Sequence, residues 1–498
     1  MSSPARSDLI VVGAGAAGLY AALTAADAGA TVTLISAMPL AESASFWAQG
    51  GLSVALAADD SPAIHLDDTL KAGRGAGRIA SARVLCAEAN LVLRDLTSLG
   101  VAWDRDRHGR PALGLEGGHS RRRIVHAGGA ATGRRITRAL SARAAESHLI
   151  TVLEGTRVDA LLSDGHACRG VHLANGERIE SRAVILATGG AAAMWMRTSN
   201  PLGTVGRGMV VAHAAGATLA DLEMVQFHPT ALADGSDRDG MLITEAIRGE
   251  GATLVDADGQ RFVDELAPRD EVAIAIHQRM IDSGTDSVAL DMRSVDPKLF
   301  PNVVESLEAC GINPASELVP VAPAAHYVMG GIQTDLQGQS TLPGLFAIGE
   351  TACTGLHGAN RLASNSLTEC FVFGRRAALA SLNSTSSSNS KAEQVECDGP
   401  IMPSPETRKA LWTNAGLVRN EAGLELLLED PHPLARIVAK SALTREESRG
   451  AHRRSDFPDT EQALDGHHSS LSPDGESSMV PWDPSESDVG MAAPAQLL

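Results

Sequence analysis

Three short runs of apolar residues, each leading into a turn that contains glycine, set the main pattern of this chain. They cover residues 8–12, 183–186 and 341–348, and a run rich in β-branched residues covers 31–35. Continuous apolar runs of this length are typical of strands that are buried on both faces of a parallel sheet. The alanine-rich stretch 19–28 predicts a helix that packs on that sheet. We therefore expect an α/β fold.

The first turn reads Gly-Ala-Gly-Ala-Ala-Gly and opens the predicted helix. In the order strand, turn, helix, Gly13 permits the tight turn, Gly15 lets the backbone approach a phosphate, and Gly18 lets the helix pack on the strand. The helix N-terminus then faces a pyrophosphate. The next strand ends in Ser36 where an Asp or Glu usually meets the adenosine ribose, so this hydroxyl is the candidate for that contact.

Two later segments favour a flavin over a nicotinamide. One apolar strand ends in Thr188, Gly189 and Gly190, and another ends in Glu350. They resemble the return strands of two-motif FAD proteins, in which backbone and one acid reach the ribityl chain and pyrophosphate. The alternative is two ordinary buried strands of an α/β sheet.

Residues 221–325 look like an insertion between these two strands, and polar residues suited to catalysis cluster there. His228, Thr244 and Arg269 lie within it, and His326 and Arg361 follow. Taken singly, His228 could be a structural histidine and Arg269 a surface ion pair. Together, these five residues form a set of donors suited to two carboxylates. Such donors would fix a four-carbon diacid over a redox ring, where position governs hydride transfer.

Composition narrows the class of partner. The 498 residues carry a net charge of −18, which argues against broad contact with nucleic acid or an anionic membrane. No apolar run of about 18 residues exists to span a bilayer, and the N-terminus lacks the pattern of a secretory signal. The cysteines lie at no metal-ligand spacing and are expected to be free thiols in a cytoplasmic protein; they are Cys86, Cys168, Cys310, Cys353, Cys370 and Cys397.

Combined in this order, the motifs resemble the flavoprotein subunits of succinate dehydrogenase and fumarate reductase, and within that superfamily the L-aspartate oxidases. The resemblance covers residues 8–380 and returns at 444–453. It implies that His228, Thr244, His326 and Arg361 hold the substrate carboxylates and that Arg269 donates or accepts a proton. It also implies contacts with FAD by Gly13, Ala14, Gly15, Ala16, Ala17, Gly18, Ser36, Ser43, Ser45, Phe46, Trp47, Ala48, Gln49, Gly50, Gly51, Thr188, Gly189, Gly190, Arg207, Glu350, Asn365, Ser366 and Leu367.

Three positions favour the oxidases over the respiratory subunits. Glu116 supplies an acid that the respiratory enzymes lack there, and an α-ammonium in a desolvated pocket needs an anionic partner. The alternative for Glu116 is a solvated loop acid. Ala44 stands where the respiratory enzymes carry their flavin-linking histidine, so FAD should be bound non-covalently. Ala363 replaces a glycine typical of those subunits.

The resemblance implies oxidation of L-aspartate to iminoaspartate, the first step of NAD biosynthesis from aspartate. Dioxygen, giving hydrogen peroxide, or fumarate would be the electron acceptor, and Glu116 would orient the amine. Quinolinate synthase is a candidate partner for transfer of the unstable imine. The alternative function is the flavoprotein subunit of a succinate dehydrogenase or fumarate reductase complex.

One departure from the superfamily pattern lies close to the expected flavin site. Arg207 stands between Gly206 and Gly208 where the pattern has an acid. Three interpretations stay open: Arg207 contacts a cofactor phosphate, another acid takes over, or affinity for FAD is reduced. The last raises the further alternative of a flavin-binding protein without turnover.

These patterns predict a two-motif, Rossmann-like FAD-binding domain with an inserted α+β capping domain and a C-terminal helical region. After 380, a Ser-rich stretch is typical of a linker, apolar periodicity returns from 404, and from 456 the chain is acidic without Lys or Arg. The expected divisions are 1–220 and 326–380 for the FAD-binding domain, 221–325 for the capping domain, 381–403 for the linker, 404–455 for a small helical domain and 456–498 for a disordered tail.

Overall fold

The computed structural model describes residues 7–40, 43–384 and 392–482. The strands are β1 Ser7–Val12, β2 Val32–Ile35, β3 Leu52–Ser53, β4 Leu113–Gly114, β5 Ile124–Val125, β6 Ile150–Leu153, β7 Val158–Ser163, β8 Cys168–Leu173, β9 Arg178–Leu186, β10 Leu219–Ala220, β11 Val225–Leu232, β12 Thr253–Val255, β13 Val288–Asp291, β14 Val319–Val328, β15 Gly331–Gln333, β16 Leu345–Ala347, β17 Ala352–Cys353, β18 Glu393–Val395, β19 His467–Leu471 and β20 Ser477–Pro481.

The α-helices are α1 Ala16–Asp27, α2 Pro62–Ala72, α3 Ile79–Ser98, α4 Thr132–Glu146, α5 Arg207–Ala214, α6 Ala246–Gly249, α7 Arg269–Ser283, α8 Pro301–Glu308, α9 Asn365–Ser381, α10 Pro405–Asn414, α11 Glu421–Leu427 and α12 Pro433–Thr444. In the part of the chain that the structure describes, no helix has the length and apolar character needed to cross a membrane.

The main sheet has the order β18-β7-β8-β9-β1-β2-β6, and β16 also pairs with β9. Strands β1, β2, β6, β9 and β16 are parallel, as the continuous apolar runs predict. Helix α1 packs between this sheet and α9, and its residues on both sides are buried. Because ligands bind outside the carboxyl ends of parallel strands, this sheet places the Gly13–Gly18 turn at a ligand-binding edge.

The inserted part has a separate four-stranded antiparallel sheet, of order β11-β14-β13-β12. Its own apolar core includes Ile243, Leu254, Ile276 and Leu290. Strand β14 runs past residue 325, the predicted end of the insertion, so a single strand carries the chain from the inserted sheet towards the FAD-binding part. The strand therefore brings His326 to the junction between the two.

The C-terminal helices do not form a core of their own. Leu411, Leu424 and Leu434, from α10 to α12, pack in the same apolar cluster as Ile10 and Val184 of the main sheet. The helices begin and end close to the predicted 404–455 range. The expectation of a separate small domain is wrong because the sheet leaves an apolar face that these helices cover.

The expectation of a disordered tail from residue 456 is wrong for residues 456–482. Strands β19 and β20 form a hairpin, and β19 pairs with β10 in a second sheet of order β17-β15-β10-β19-β20. Acidic side chains here find arginine partners upstream: Asp456 pairs with Arg454 and Asp465 with Arg449. Both arginines precede residue 456, so the composition of the acidic stretch taken alone does not show this charge compensation. Residues 483–498 lie outside the described residues.

The predicted linker at 381–403 is also partly ordered. Residues 385–391 lie outside the described residues, but β18 follows them and pairs antiparallel with β7 at the edge of the main sheet. The Ser-rich composition is typical of flexible segments, yet a three-residue edge strand needs only one open strand beside it.

A buried ion cluster joins the C-terminal region to the start of the insertion. The Arg445 guanidinium contacts Glu223 at 2.7 Å, Glu447 at 2.9 Å and Asp221 at 3.4 Å, and all four side chains are buried. Burial, and then the neighbouring Glu223, raise the pKa of Asp221 to about 7. The cluster depends on Arg445 because it is the shared cation.

We expect Arg445→Met to lower the free energy of unfolding by about 3–5 kcal/mol, since it leaves the buried carboxyl groups of Asp221 and Glu223 without their cation, while Glu447 keeps Arg449. Urea denaturation followed by circular dichroism would measure the change. Arg143→Ala is the matched control: its pair with Glu146 is exposed and should contribute less than about 1 kcal/mol. Equal urea midpoints for the two variants would contradict this account of the cluster.

Candidate active site

The turn from Gly13 to Gly18 has space for backbone only. Gly13 has φ of +108°, and a β-carbon there would lie 2.1 Å from the carbonyl oxygen of Ala187. A β-carbon at Gly18 would lie 1.9 Å from the carbonyl oxygen of Gly13. Helix α1 begins at Ala16, and its N-cap residue, Gly15, has no side chain to cap it. Its N-terminus therefore faces the edge of the sheet with positive character available to an anion.

The segment 43–51 lies against this helix start. Ser45 accepts a hydrogen bond from the backbone N–H of Ala16 through its Oγ, at 3.1 Å. Within the described ranges, Ser43 Oγ and Gln49 Oε1 are buried and have no hydrogen-bond partner, while 66% of the Trp47 surface is exposed. Buried polar atoms without partners next to an exposed indole fit a site that takes a large polar ligand.

The rest of this segment approaches its neighbours through backbone. Ala48 accepts a hydrogen bond from the N–H of Gly133 in α4, and a β-carbon at Gly51 would lie 2.4 Å from the Val125 carbonyl oxygen. The Phe46 ring packs edge-on against Trp47. Ala44 begins the 3-10 turn Ala44–Trp47, and Gly50 lies beside Glu116.

Across the cleft, the ends of β9 and β16 meet. Gly189 donates its N–H to Thr351 Oγ1 at 2.9 Å, and the Thr188 hydroxyl lies 3.3 Å from the same atom. A β-carbon at Gly190 would lie 2.0 Å from Glu350 Oε1. Burial raises the pKa of Glu350 to about 8, although its Oε1 accepts the N–H of Val328.

Ser36 and Arg207 have protein partners. The Ser36 hydroxyl donates to the carbonyl of Met38 at 2.6 Å, which leaves its oxygen as an acceptor only. Arg207 donates through Nε to the carbonyl of Val158 on β7 at 2.8 Å, and burial, with Arg157 nearby, lowers its pKa. The three interpretations of Arg207 stay predictions.

The start of α9 carries three further cofactor candidates. The Asn365 side chain makes three contacts: its Oδ1 contacts His65 and Ser53, and its Nδ2 donates to Thr69. Ser366 Oγ accepts from the Arg361 guanidinium, and Leu367 is buried in the core next to α1. Because these side chains are engaged, the backbone at the start of α9 is the part available to a ligand.

Arg269 and Arg361 share the amide oxygen of Gln226. Arg269 Nη1 donates to Gln226 Oε1 at 3.1 Å and Arg361 Nε donates to the same oxygen at 3.2 Å. The Gln226 amide nitrogen donates in turn to Asn360 and to the Arg361 carbonyl. Arg361 also stacks over the Tyr327 ring at 4.5 Å. Burial, and then Arg269, lower the pKa of Arg361 to about 10, so the Arg361 guanidinium is still cationic at neutral pH.

His228 and His326 lie side by side, with ring centroids 5.1 Å apart. Burial, and then the neighbouring arginines, lower the pKa of both imidazoles well below the usual value, so they are neutral at pH 7. His228 accepts the N–H of Thr230 at Nδ1, which leaves Nε2 as a donor, and His326 Nδ1 contacts Ser199. Thr244 is buried and directly precedes Glu245.

Glu245 links Arg269 to a second arginine. Its Oε2 lies 2.6 Å from Arg269 Nε and 3.7 Å from Arg248 Nη2, and its Oε1 accepts the N–H of Gly117. Burial opposes ionisation, but Arg269 and Arg248 outweigh it and lower the pKa of Glu245 to about 2. Sequence reasoning missed Glu245 and Gln226, although each is adjacent, or nearly so, to a predicted site residue.

Glu116 is buried, which excludes the solvated loop acid. Its Oε2 accepts a hydrogen bond from Ser364 Oγ at 2.6 Å, and its Oε1 lies 3.8 Å from His126 Nε2. Burial raises its pKa, but His126 and Ser364 overcome that effect and hold it below the usual range. An ionised carboxylate therefore lies beside the arginine cluster, where it suits a ligand with one cationic group.

Comparison with known proteins identifies the family. Residues 8–367 match the family model described as FAD binding domain, and residues 426–484 match the one described as Fumarate reductase flavoprotein C-term. Proteins named L-aspartate oxidase are similar over most of the chain. That of Mesorhizobium japonicum is 43% identical over 91% of this chain and 92% of its own, and that of Streptomyces coelicolor is 39% identical over 93% and 90%. The chain belongs to the L-aspartate oxidase family.

Solved structures agree with this membership at the level of the superfamily. An Escherichia coli quinol fumarate reductase subunit superposes with a TM-score of 0.86 at 28% identity, covering 96% of this chain and 97% of its own. Mycobacterium smegmatis Sdh1 superposes with a TM-score of 0.81 at 28% identity, covering 96% and 94%. The cofactor of this family of oxidoreductases is FAD, and the glycine turn, the unpartnered polar atoms of segment 43–51 and Glu350 fit it.

Gln226→Glu tests the shared amide. The new carboxylate would pair with both arginines and compete with a substrate carboxylate, so we expect the inhibition constant of succinate to rise at least about tenfold. Steady-state inhibition kinetics would measure it. Gln394→Glu, on the edge strand β18, is the charge-matched control and should leave the constant unchanged. If the inhibition constant of succinate in Gln226→Glu equals that of the parent, this cleft does not bind the carboxylates.

Glu350→Gln tests the buried acid through pH. Because the folded pKa of about 8 lies above the unfolded value, the protonated acid favours the fold at low pH, and this stability is lost as pH rises through 8. Before FAD is added, the variant should therefore melt at a higher temperature than the parent at pH 8.5 and near the parent at pH 4.5. Melting curves at the two pH values measure this difference. A difference in melting temperature between variant and parent that is the same at both pH values would contradict the raised pKa of Glu350.

Proposed function

We propose that this protein is an L-aspartate oxidase, which converts L-aspartate to iminoaspartate with FAD as cofactor and with dioxygen, giving hydrogen peroxide, or fumarate as electron acceptor. The observation that carries the proposal is the buried, ionised Glu116, which acts electrostatically on Arg361, while Arg361 shares the Gln226 oxygen with Arg269. This combination matches two carboxylates and one ammonium on a four-carbon skeleton.

The carboxylates are bound by the cationic side of the cleft. Arg361 is held by Gln226, Ser366 and the Tyr327 ring, which fixes the direction of its guanidinium fork. His228 and His326 are neutral and contribute hydrogen bonds rather than charge. Thr244 adds a hydroxyl from the capping part. Donors that come from the inserted part and from the segment before α9 together orient the diacid.

Proton transfer has a path through Arg269. A guanidinium is a weak acid, so it needs a neighbour that can restore its proton. Glu245 hydrogen bonds to Arg269 and lies beside Arg248, which gives a chain of three charged groups leading away from the cleft. Bound FAD supplies the acceptor for the two electrons that leave the Cα of the substrate. In the reverse direction, with fumarate, Arg269 delivers the proton.

FAD is held without a covalent bond in this proposal, because Ala44 has no nucleophilic atom. The predicted FAD contacts, and the predicted bounds of the FAD-binding and capping domains, are proposals as well. So do the place of the reaction as the first step of NAD biosynthesis from aspartate, the cytoplasmic location and product transfer to quinolinate synthase. The respiratory alternative, a succinate dehydrogenase or fumarate reductase subunit, is disfavoured by Ala44 and Glu116.

The purified protein should lose its yellow flavin to the supernatant on acid precipitation and release peroxide under air from L-aspartate. D-Aspartate and succinate should give none, because neither presents an ammonium to Glu116 with the carboxylates clamped. Absorbance spectra and a peroxide assay measure both properties. Flavin that stays in the pellet, or turnover of succinate without aspartate, would transfer the assignment to the respiratory subunit.

A further inference from the structure

Ser364 has a backbone conformation that serine rarely adopts. Its φ is +61°, in the left-handed region that favours glycine, and it is buried immediately before α9. A serine at the N-cap of a helix ordinarily accepts a hydrogen bond from a helix N–H. Ser364 makes no such bond. Its hydroxyl is directed elsewhere, and the strained backbone persists because other contacts of this side chain hold it.

Those contacts determine the direction of the hydroxyl proton. The backbone N–H of Gly51 donates to Ser364 Oγ at 3.2 Å, so the oxygen is the acceptor on that side. The single hydroxyl proton then goes to Glu116 Oε2 at 2.6 Å. The other carboxylate oxygen, Oε1, has a longer contact, 3.8 Å from His126.

Residues 361–364 connect the carboxylate-binding group of the cleft to its anionic group. Arg361, which binds carboxylate in the proposed function, precedes Ser364 by three residues and is held by Gln226 and Ser366. Ser364 in turn holds Glu116, which lies on a different segment. The position of the anionic group relative to the guanidinium is therefore set through Ser364.

We propose that Ser364 is a positioning residue: it directs the Glu116 carboxylate to the α-ammonium of the substrate and so sets the preference for an amino diacid over a plain diacid. The inference rests on the proposed function. It predicts that loss of the hydroxyl weakens binding of aspartate selectively, since succinate has no ammonium and binds through the arginines and histidines alone.

Two variants separate the hydroxyl from the backbone. Ser364→Ala removes the hydroxyl and keeps the strain of a β-carbon at positive φ, whereas Ser364→Gly removes the hydroxyl and relieves the strain. Ser381→Ala is the matched control, because that buried serine lies at the other end of α9 and its hydroxyl donates to the Ala378 carbonyl. All are assayed as full-length, FAD-loaded protein for the KM of L-aspartate and the inhibition constant of succinate.

In both Ser364 variants the KM of L-aspartate should rise about tenfold or more, the loss typical of one hydrogen bond to a charged group, while the succinate constant stays within about twofold. Ser381→Ala should change neither. In the background of Glu116→Gln, adding Ser364→Ala should cause little further rise, because Ser364 acts through Glu116.

Three results would overturn the inference: an unchanged aspartate KM in Ser364→Gly, equal weakening of aspartate and succinate, or additive effects with Glu116→Gln. Ser364→Gly keeps the test decisive if Ser364→Ala fails to fold. Assay of the parent protein distinguishes failure of the proposed function from failure of the inference about Ser364. If the parent does not oxidise L-aspartate, the proposed function fails and the inference fails with it. If the parent oxidises it normally and one of the three results appears, the inference alone fails.

Discussion

The active cleft requires two buried guanidiniums to lie close together although their positive charges repel each other. Arg269 and Arg361 repel each other, and burial removes the water that would screen them. The Gln226 oxygen accepts from both, and Glu245 neutralises Arg269 from the far side. Glu245 neutralises one of the two guanidinium charges, so this side of the cleft keeps a net positive charge that can bind the carboxylates of a ligand. Neutral His228 and His326 add donors without adding charge.

This arrangement requires two parts of the chain to meet. Arg269, Glu245 and Thr244 come from the inserted part, whereas Arg361 and Glu116 come from the FAD-binding part, and Gly117 donates directly to Glu245 across the junction. The buried cluster around Arg445 lies where the chain enters the insertion, at Asp221 and Glu223. The C-terminal region therefore supports the cleft from a distance, by fixing the start of the part that closes it.

In the proposed function the arginines and histidines serve the two carboxylates that an amino diacid and a plain diacid have in common, so the preference between these substrates rests on few atoms. A buried carboxylate beside bound FAD is unfavourable unless it meets a cation or several donors. Glu116 has Ser364 on one oxygen and His126 near the other, which keeps it ionised before any ligand arrives. The ammonium of an amino diacid then completes the charge pairing, whereas a plain diacid leaves the acid as it is.

Local patterns in the sequence determined the strands and helix of the FAD-binding part and the glycine turn, because each depends on neighbours within a few residues, and they indicated the candidate carboxylate donors. Glu116 and Ala44 were likewise identified from the sequence as single positions. The tertiary structure alone decided the partners of Gln226, Glu245 and Ser364, since these join segments that lie far apart in the chain. It also decided the order of residues 456–482: their acidity predicted disorder, but the arginines of residues 445–454 neutralise it and β10 offers an open edge for β19. Long-range charge pairing and strand pairing leave no periodic signal, and so only the folded chain shows them.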